Sequence, residues 1–319
     1  MVSEFPNIVL KKQDLNKDEH SKIIVILGTN ASGKSSIGLE LAKIFNGEII
    51  SADSRQVYKG FDLCSGKVTK DEMAMIPHHM ISINNINEIF SVADFQKNTY
   101  RLIPQIINRG NIPFIVGGTG LYIDSIVKGY ILTGNQPDYE FRNILNKKTI
   151  QELHNELSEI VKYCPIKNNS EYFNKRRIIR LIEKAYQGEP LNNTYVPKYN
   201  SLLLGVTWNK EILYRRIDER LTTRLKSGML DEVNSYLESG GNSEYLINLG
   251  LEYRYIYWYL IGKIKSYDVF YDELSKAIKK FSKRQLNWFK KNNEIIWLDM
   301  DGDYINQAIE KIKVFLRQG

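Results

Sequence analysis

The sequence predicts an α/β protein: a parallel sheet of the phosphate-loop type, flanked by helices and carrying a helical insertion. Three observations predict it. Short β-branched runs alternate with amphipathic helical stretches, as in parallel sheets covered on both faces. The first run ends in a glycine-rich octet, Gly28–Ser35, that matches the phosphate-loop pattern at every fixed position. The β-rich texture disappears between about Ile131 and Lys198 and then returns.

Each element has its own reason. Residues 1–21 are polar and are expected to fray. Lys22–Gly28 is a β-branched run closed by glycine, a buried strand. A helix from about Gly33 to Phe45 places Ile37, Leu41, Ile44 and Phe45 on one face. A second strand, Glu48–Ala52, ends at Asp53, and a helix over about Ser91–Arg109 tolerates Pro104. A third strand, Ile112–Val116, runs into Gly117–Gly120. In the insertion, charged helical patterns cover Gln151–Val161 and Phe173–Tyr186. The core resumes with a strand over Ser201–Trp208. Helices over about Lys210–Lys226, Met229–Glu238, Glu252–Ile261 and Tyr271–Lys291 follow, then a strand at Glu294–Leu298 and a terminal helix. The core is thus expected over residues 22–130 and 199–319, with residues 131–198 as the insertion.

Composition narrows the function. With 43% hydrophobic and 25% charged residues, wholesale disorder is excluded. No apolar run reaches the ~18 residues of a membrane span, and the N-terminus lacks an apolar core of signal-peptide length. A cytoplasmic protein is expected. The net charge of +7 permits a polyanionic partner without requiring one. Two cysteines, Cys64 and Cys164, build neither a disulfide framework nor a zinc site. The adjacent His78 and His79 have poor metal-binding geometry and read as structural.

The chemistry concentrates at three strand ends. In Gly28-Thr29-Asn30-Ala31-Ser32-Gly33-Lys34-Ser35, glycines let successive N–H groups converge on an anion, and a helix N-terminus adds its positive end. Lys34 brings a point charge to the phosphates, and the Ser35 hydroxyl suits Mg²⁺. Asp53 ends the second strand and should face the same crevice. It reads equally as a magnesium ligand, a proton acceptor or a turn cap. The third loop, Gly117–Tyr122, permits close backbone approach to a ligand. The aromatic run Tyr253–Tyr259 reads as core rather than a base-stacking platform. The basic stretch from Lys279 to Lys291 fits either an RNA-facing stripe or a solvated face.

Taken together, these segments resemble the tRNA dimethylallyltransferases, also called tRNA isopentenyltransferases, over nearly the whole chain. The resemblance rests on the phosphate loop, Asp53–Asp62, Pro77–Ser82, Ser91–Phe95 and Val116–Tyr122. It extends to Asn174–Glu183, the Arg216/Arg220 pair, the segment from Gly250, and Lys283–Lys290. It implies transfer of a dimethylallyl group from dimethylallyl diphosphate to N6 of an adenosine just 3′ of the tRNA anticodon. By resemblance Asp53 is the base. Residues 28–35 and Arg220 hold diphosphate, with Ser35 on Mg²⁺. Asp53, Ser54, Arg55, Gln56, Thr119, Arg142, Arg176, Arg177 and Arg180 meet the anticodon stem-loop. The base would leave its stack to react.

The chain departs from the family pattern at Asn30, Ser82, Phe173, Asn174 and Arg224. It ends without the zinc-finger tail of eukaryotic relatives, which points to a bacterial-type enzyme, expected as a monomer. Three other readings compete. A phosphotransferase is disfavoured because the third strand ends in Gly117 rather than an acidic metal ligand. A transferase acting on free adenylate is disfavoured by the basic insertion. A non-enzymatic RNA binder is disfavoured by intact Lys34, Ser35 and Asp53.

Overall fold

The computed structural model describes residues 21–132, 137–161, 172–192 and 194–318. The expected fraying of residues 1–20 and the state of Cys164 lie outside them. Among the described residues, six parallel strands form one sheet in the order β3-β2-β4-β1-β5-β6. They are β1 (Lys22–Gly28), β2 (Gly47–Ala52), β3 (His78–His79), β4 (Ile112–Gly117), β5 (Asn200–Val206) and β6 (Ile296–Trp297).

Both faces of the sheet are covered, so β1 is apolar at every position after Lys22. Ile24 and Ile26 pack with Ile37 and Leu41 of α1 (Lys34–Ile44) and Ile309 and Ile312 of the terminal helix, Tyr304–Arg317. Ile23, Val25 and Leu27 face the other way. They pack with Phe95 and Ile103 of α4 (Val92–Asn108) and Ile123 and Ile126 of α5 (Gly120–Val127). Pro104 lies inside α4, as expected, and the helix starts in a Ser91–Asp94 capping box.

Several short helices were not legible in the β/α alternation. These are α2 (Asp62–Ser65), α3 (Lys70–Met75), α5 and the helices over Tyr139–Lys147 and Ser243–Leu249. The first is a single turn with no periodicity to read, and α5 begins on a glycine that looked like loop. A helical lobe then follows: α9 (Lys210–Lys226), α10 (Met229–Glu238), α11 (Ser243–Leu249), α12 (Leu251–Leu260) and α13 (Tyr267–Phe289). It closes over a second core that includes Val57, Phe61, Leu221, Tyr253 and Phe270. Tyr253 is buried and its aromatic neighbours are half-buried against that core, as the core reading anticipated. The α13 helix starts four residues earlier than expected because Ser266 accepts the Val269 N–H as its N-cap.

The chain divides into two compact units. One runs to Val127 and resumes at Pro197; the other is Lys128–Val196. The second contains α6 (Tyr139–Lys147), α7 (Ile150–Ile160) and α8 (Lys175–Tyr186). Its own small core joins Leu145, Leu153, Leu157, Ile178 and Ile182.

Candidate active site

The loop between β1 and α1 is shaped from outside. A Cβ on Gly28 would stand 2.3 Å from the Val206 carbonyl oxygen of the neighbouring strand, so only glycine turns there. Three of the loop's carbonyls are held by side chains. Lys34 Nζ donates to Thr29 O at 3.1 Å, Arg216 Nε to Ala31 O at 2.9 Å and Trp208 Nε1 to Ser32 O at 2.9 Å. No side chain caps the N-terminus of α1. Its first-turn amides and positive dipole end are therefore left for an anion. The hydroxyls of Thr29 and Ser32 are buried without a partner among the described residues, so this loop is less satisfied than a core turn.

The strands β2, β4 and β1 are adjacent and parallel, so their carboxyl ends bring the three loops to one edge. Asp53, just beyond β2, accepts the Arg55 N–H at 2.8 Å through Oδ1, the turn geometry of an Asx residue. Its other oxygen takes no hydrogen bond among the described residues. Thr119, in the loop after β4, accepts the Ser54 N–H at 3.0 Å and donates its own N–H to Ala52 O at 3.1 Å. Those two bonds lock the Asp53 loop to the third loop. The Arg55 guanidinium reaches the backbone at Gly250 and lies among Tyr122, Tyr245 and Tyr253. Burial raises the pKa of all three phenols, and the Arg55 charge opposes that shift. Gln56 is buried, and its amide is used within the protein. It accepts from Ser51 Oγ at 2.9 Å and donates to Gly66 O at 3.1 Å.

That same Gly66 carbonyl accepts from Arg220 Nη2 at 3.2 Å. Arg220 belongs to a ladder on α9. Arg216 buttresses the phosphate loop and stacks on Trp208. Arg224 donates to the Leu63 and Cys64 carbonyls of α2 and faces Glu252 at 3.7 Å. The three central charges sense one another. Burial pulls Lys34 down to about 8, opposed by Asp53 and reinforced by Arg220. Arg220 is also pulled down, first by the protein packed around it and then by Arg224, while Glu252 and Asp53 oppose the shift. A lysine, an arginine and a carboxylate therefore converge beside an uncapped helix N-terminus. This arrangement can bind a diphosphate and can remove a proton near it.

The donor set fits a magnesium ion. Among the described residues no group of three or more His, Cys, Asp or Glu could hold a metal. Magnesium bound with a phosphate ligand needs few protein donors, since phosphates and waters fill the remaining positions. The half-buried hydroxyl of Ser35, in the first turn of α1, is a hard donor of the required kind.

The insertion residues divide into two sets. Glu183 is buried, and Arg142 holds it with two bonds of 3.0 and 2.6 Å. Arg180 also binds it, and the Asp138 N–H donates at 2.8 Å. Burial would raise the Glu183 pKa, but these donors more than offset it and hold it below the usual carboxylate range. Arg180 further meets Glu189 at 3.1 Å. Arg142 and Arg180, each half-buried, are thus engaged in ion pairs within their own unit. Arg176 and Arg177 are exposed on α8.

The described structure places Lys34, Ser35, Asp53, Ser54, Thr119 and Arg220 in one unit around one edge of the sheet. Sequence reasoning did not single out Gly66, Trp208 or Gln285. Gln285 accepts the Asn30 N–H at 2.9 Å and donates to Gly118 O at 2.9 Å. Their partners lie far off in sequence, and no local spacing announces them. His79 is structural, as expected. With Arg109 and Asn111 it binds the buried Glu48 near the amino end of β2.

Comparison with known proteins gives the family and the fold. Residues 56–292 match the family model of IPP transferases. The chain is 37% identical over 302 residues to a tRNA dimethylallyltransferase of Lactococcus lactis, covering 93% of this chain and 99% of that protein. It is 40% identical over 280 residues to one from Treponema denticola, covering 86% and 93%. Among solved structures, the full-length tRNA isopentenylpyrophosphate transferase of Bacillus halodurans matches with a TM-score of 0.69 and 33% identity, over 93% of this chain and 97% of that one. A eukaryotic dimethylallyltransferase acting on tRNA shares the fold, with a TM-score of 0.75 and 24% identity, over 91% and 77%.

Proposed function

The chain belongs to the IPP transferase family, and from that premise we propose that it transfers a dimethylallyl group from dimethylallyl diphosphate to tRNA. The acceptor is N6 of the adenosine at position 37, next to the anticodon, and diphosphate is released. The observation that carries the reading is the convergence of Lys34, Arg220 and Asp53 beside the uncapped N-terminus of α1.

The chemistry divides between two loops. The N6 amine attacks the allylic carbon, the carbon–oxygen bond breaks and negative charge collects on diphosphate. The amides of residues 28–35, Lys34 and Arg220 stabilise that charge. As the new carbon–nitrogen bond forms, N6 becomes positive and gives a proton to the Asp53 carboxylate. Ser35 would hold a bound Mg²⁺, whose charge would further neutralise the leaving group. Ser54, Arg55 and Thr119 border the acceptor. Gln56 supports that edge from within, through Gly66 and Ser51. Arg176 and Arg177 are assigned to the tRNA backbone. Among the described residues no helix is long and apolar enough to cross a membrane. We place the enzyme in the cytoplasm, acting as a monomer.

The test is a transfer assay with Mg²⁺ and radiolabelled dimethylallyl diphosphate, with unmodified tRNA and AMP as parallel acceptors. Label in tRNA at the adenosine beside the anticodon is the expected result. Label in AMP alone would move the chain to the free-nucleotide class. Label in neither would overturn the reading.

A further inference from the structure

The segment Lys283–Lys290 carries no part of the chemistry above, yet it reaches into the site. Gln285 lies on α13, buried, with both ends of its carboxamide engaged. Oε1 accepts the Asn30 N–H of the phosphate loop, and Nε2 donates to the Gly118 carbonyl of the third loop, each at 2.9 Å. One partner is a donor and the other an acceptor, and the two ends of one carboxamide satisfy both. The spacing is tight. A Cβ on Gly118 would lie 2.7 Å from Gln285 Nε2 and 3.4 Å from Lys34 Cε. One turn further on, Trp288 packs against Gly120 and its Nε1 donates to Asp124 of α5 at 3.2 Å. The third loop is therefore gripped twice by the same helix. It in turn holds the Asp53 loop through Thr119 and the Ser54 N–H at 3.0 Å.

From the juxtaposition of Gln285 with the Asn30 amide and the Gly118 carbonyl, we propose that Gln285 is a positioning residue for the transfer. It pins the loop that holds the leaving group to the loop that holds the acceptor side, and so fixes Lys34 relative to Asp53. It touches neither substrate. The inference rests on the transferase reading. It also explains why a helix distant in sequence bears a glutamine buried beneath two glycine-rich loops. A displacement of about 1 Å between reacting groups costs on the order of 10²-fold in rate. Losing the pin should therefore appear in the rate at saturation rather than in affinity.

The experiment compares the parent with Gln285→Met, which has the same reach and no hydrogen-bonding amide, and with Gln285→Ala, which removes the carboxamide and leaves room for water at both groups. Single-turnover transfer is measured at saturating dimethylallyl diphosphate and tRNA, with the affinity of each substrate measured separately. Amide exchange at Asn30 is followed in the ligand-free protein. The expected result is a fall of about 10- to 100-fold in the saturated rate, with affinities within threefold and Asn30 exchange accelerated. A saturated rate within twofold of the parent would overturn the proposal. So would a loss confined to substrate affinity, or unchanged Asn30 exchange. If Gln285→Met does not fold, Gln285→Ala decides the rate question. If the parent itself fails to modify tRNA, the function reading falls, while Asn30 exchange still reports whether Gln285 pins the loop.

Discussion

Gly66 has a left-handed backbone, φ +59°, and a Cβ built there would lie 2.3 Å from Arg220 Nη2. Gly66→Ala therefore does two things. It imposes a left-handed alanine, a cost of roughly 1–2 kcal/mol to stability. It also forces the guanidinium to retreat by more than about 1 Å, since nonbonded heavy atoms settle near 3.5 Å. The backbone cannot supply that retreat cheaply, because the Gly66 carbonyl also accepts from the buried Gln56 amide. The flexible end of Arg220 moves instead. If Arg220 stabilises the leaving diphosphate, removing it costs about 10²–10³ in rate, and misplacing it by about 1 Å costs on the order of 10². Single-turnover transfer at saturating substrates should therefore fall about 10²-fold, with a melting temperature only a few degrees lower. The decisive comparison is with Arg220→Gln and the double variant. Because Gly66→Ala acts through Arg220, the double variant should be no slower than Arg220→Gln alone. A saturated rate within threefold of the parent, or two losses that multiply, would show that Gly66 does not act through Arg220.

Other outcomes follow from the same geometry. Asp53→Ala should abolish transfer while leaving tRNA affinity within a few-fold; near-normal turnover would remove Asp53 as the proton acceptor. Lys34 is held near 8, so it is charged below that pH and loses its proton above it. Affinity for inorganic pyrophosphate should weaken from pH 7 to 9 relative to Lys34→Arg, which keeps its charge; parallel profiles would show that Lys34 does not meet the anion. The Glu183 pKa is lowered, so the stability it supplies is present above the ordinary carboxylate range and is lost as pH falls through its depressed value. Glu183→Gln should lower the melting temperature by several degrees at pH 7, and the difference from the parent should shrink as pH falls below the ordinary carboxylate range. Replacing Arg176 and Arg177 with glutamine should flatten the salt dependence of tRNA binding by roughly one unit of log–log slope for each phosphate no longer neutralised. An unchanged slope would place both arginines away from phosphate.

What was legible in the sequence were features whose physics is local. The octet Gly28–Ser35 and the β runs on either side of it announce their conformation within a dozen residues, and they stand where expected. A capping box at Thr69–Glu72 could have located one more helix start by the same local logic, and one at Thr149–Glu152 would have sharpened a start expected at Gln151. What shapes the loops was not legible. Trp208, Arg216 and Gln285 reach the phosphate loop from residues 176 to 255 positions away in the chain. The insertion arginines show the converse limit. Arg142 and Arg180 look alike in the sequence to Arg176 and Arg177. Their pairing with Glu183 follows from the helical phase of α8, which turns Ile178, Ile182 and Glu183 inward together and leaves Arg142 and Arg180 half-buried around that carboxylate.

The arginine ladder on α9 shows why a phosphate loop can serve alkyl transfer here. Arg216, Arg220 and Arg224 recur every four residues and so share one helix face. Arg224 is occupied with the α2 carbonyls and Glu252, while Glu232 accepts the Leu63 and Cys64 N–H groups of that same turn at 2.9 and 2.8 Å. Arg216 holds Ala31 O and braces the phosphate loop. Among the described residues Arg220 makes a single hydrogen bond, to Gly66, and keeps the rest of its five donors. The middle arginine is therefore held at the Gly66 carbonyl and left unsaturated. A β4 strand ending in Gly117 provides no acidic metal ligand of the kind phosphotransferases use, and the carboxylate stands instead at the end of β2. Positive charge thus gathers where a diphosphate would leave. One carboxylate oxygen remains unbonded among the described residues, where a nucleophile's proton would go.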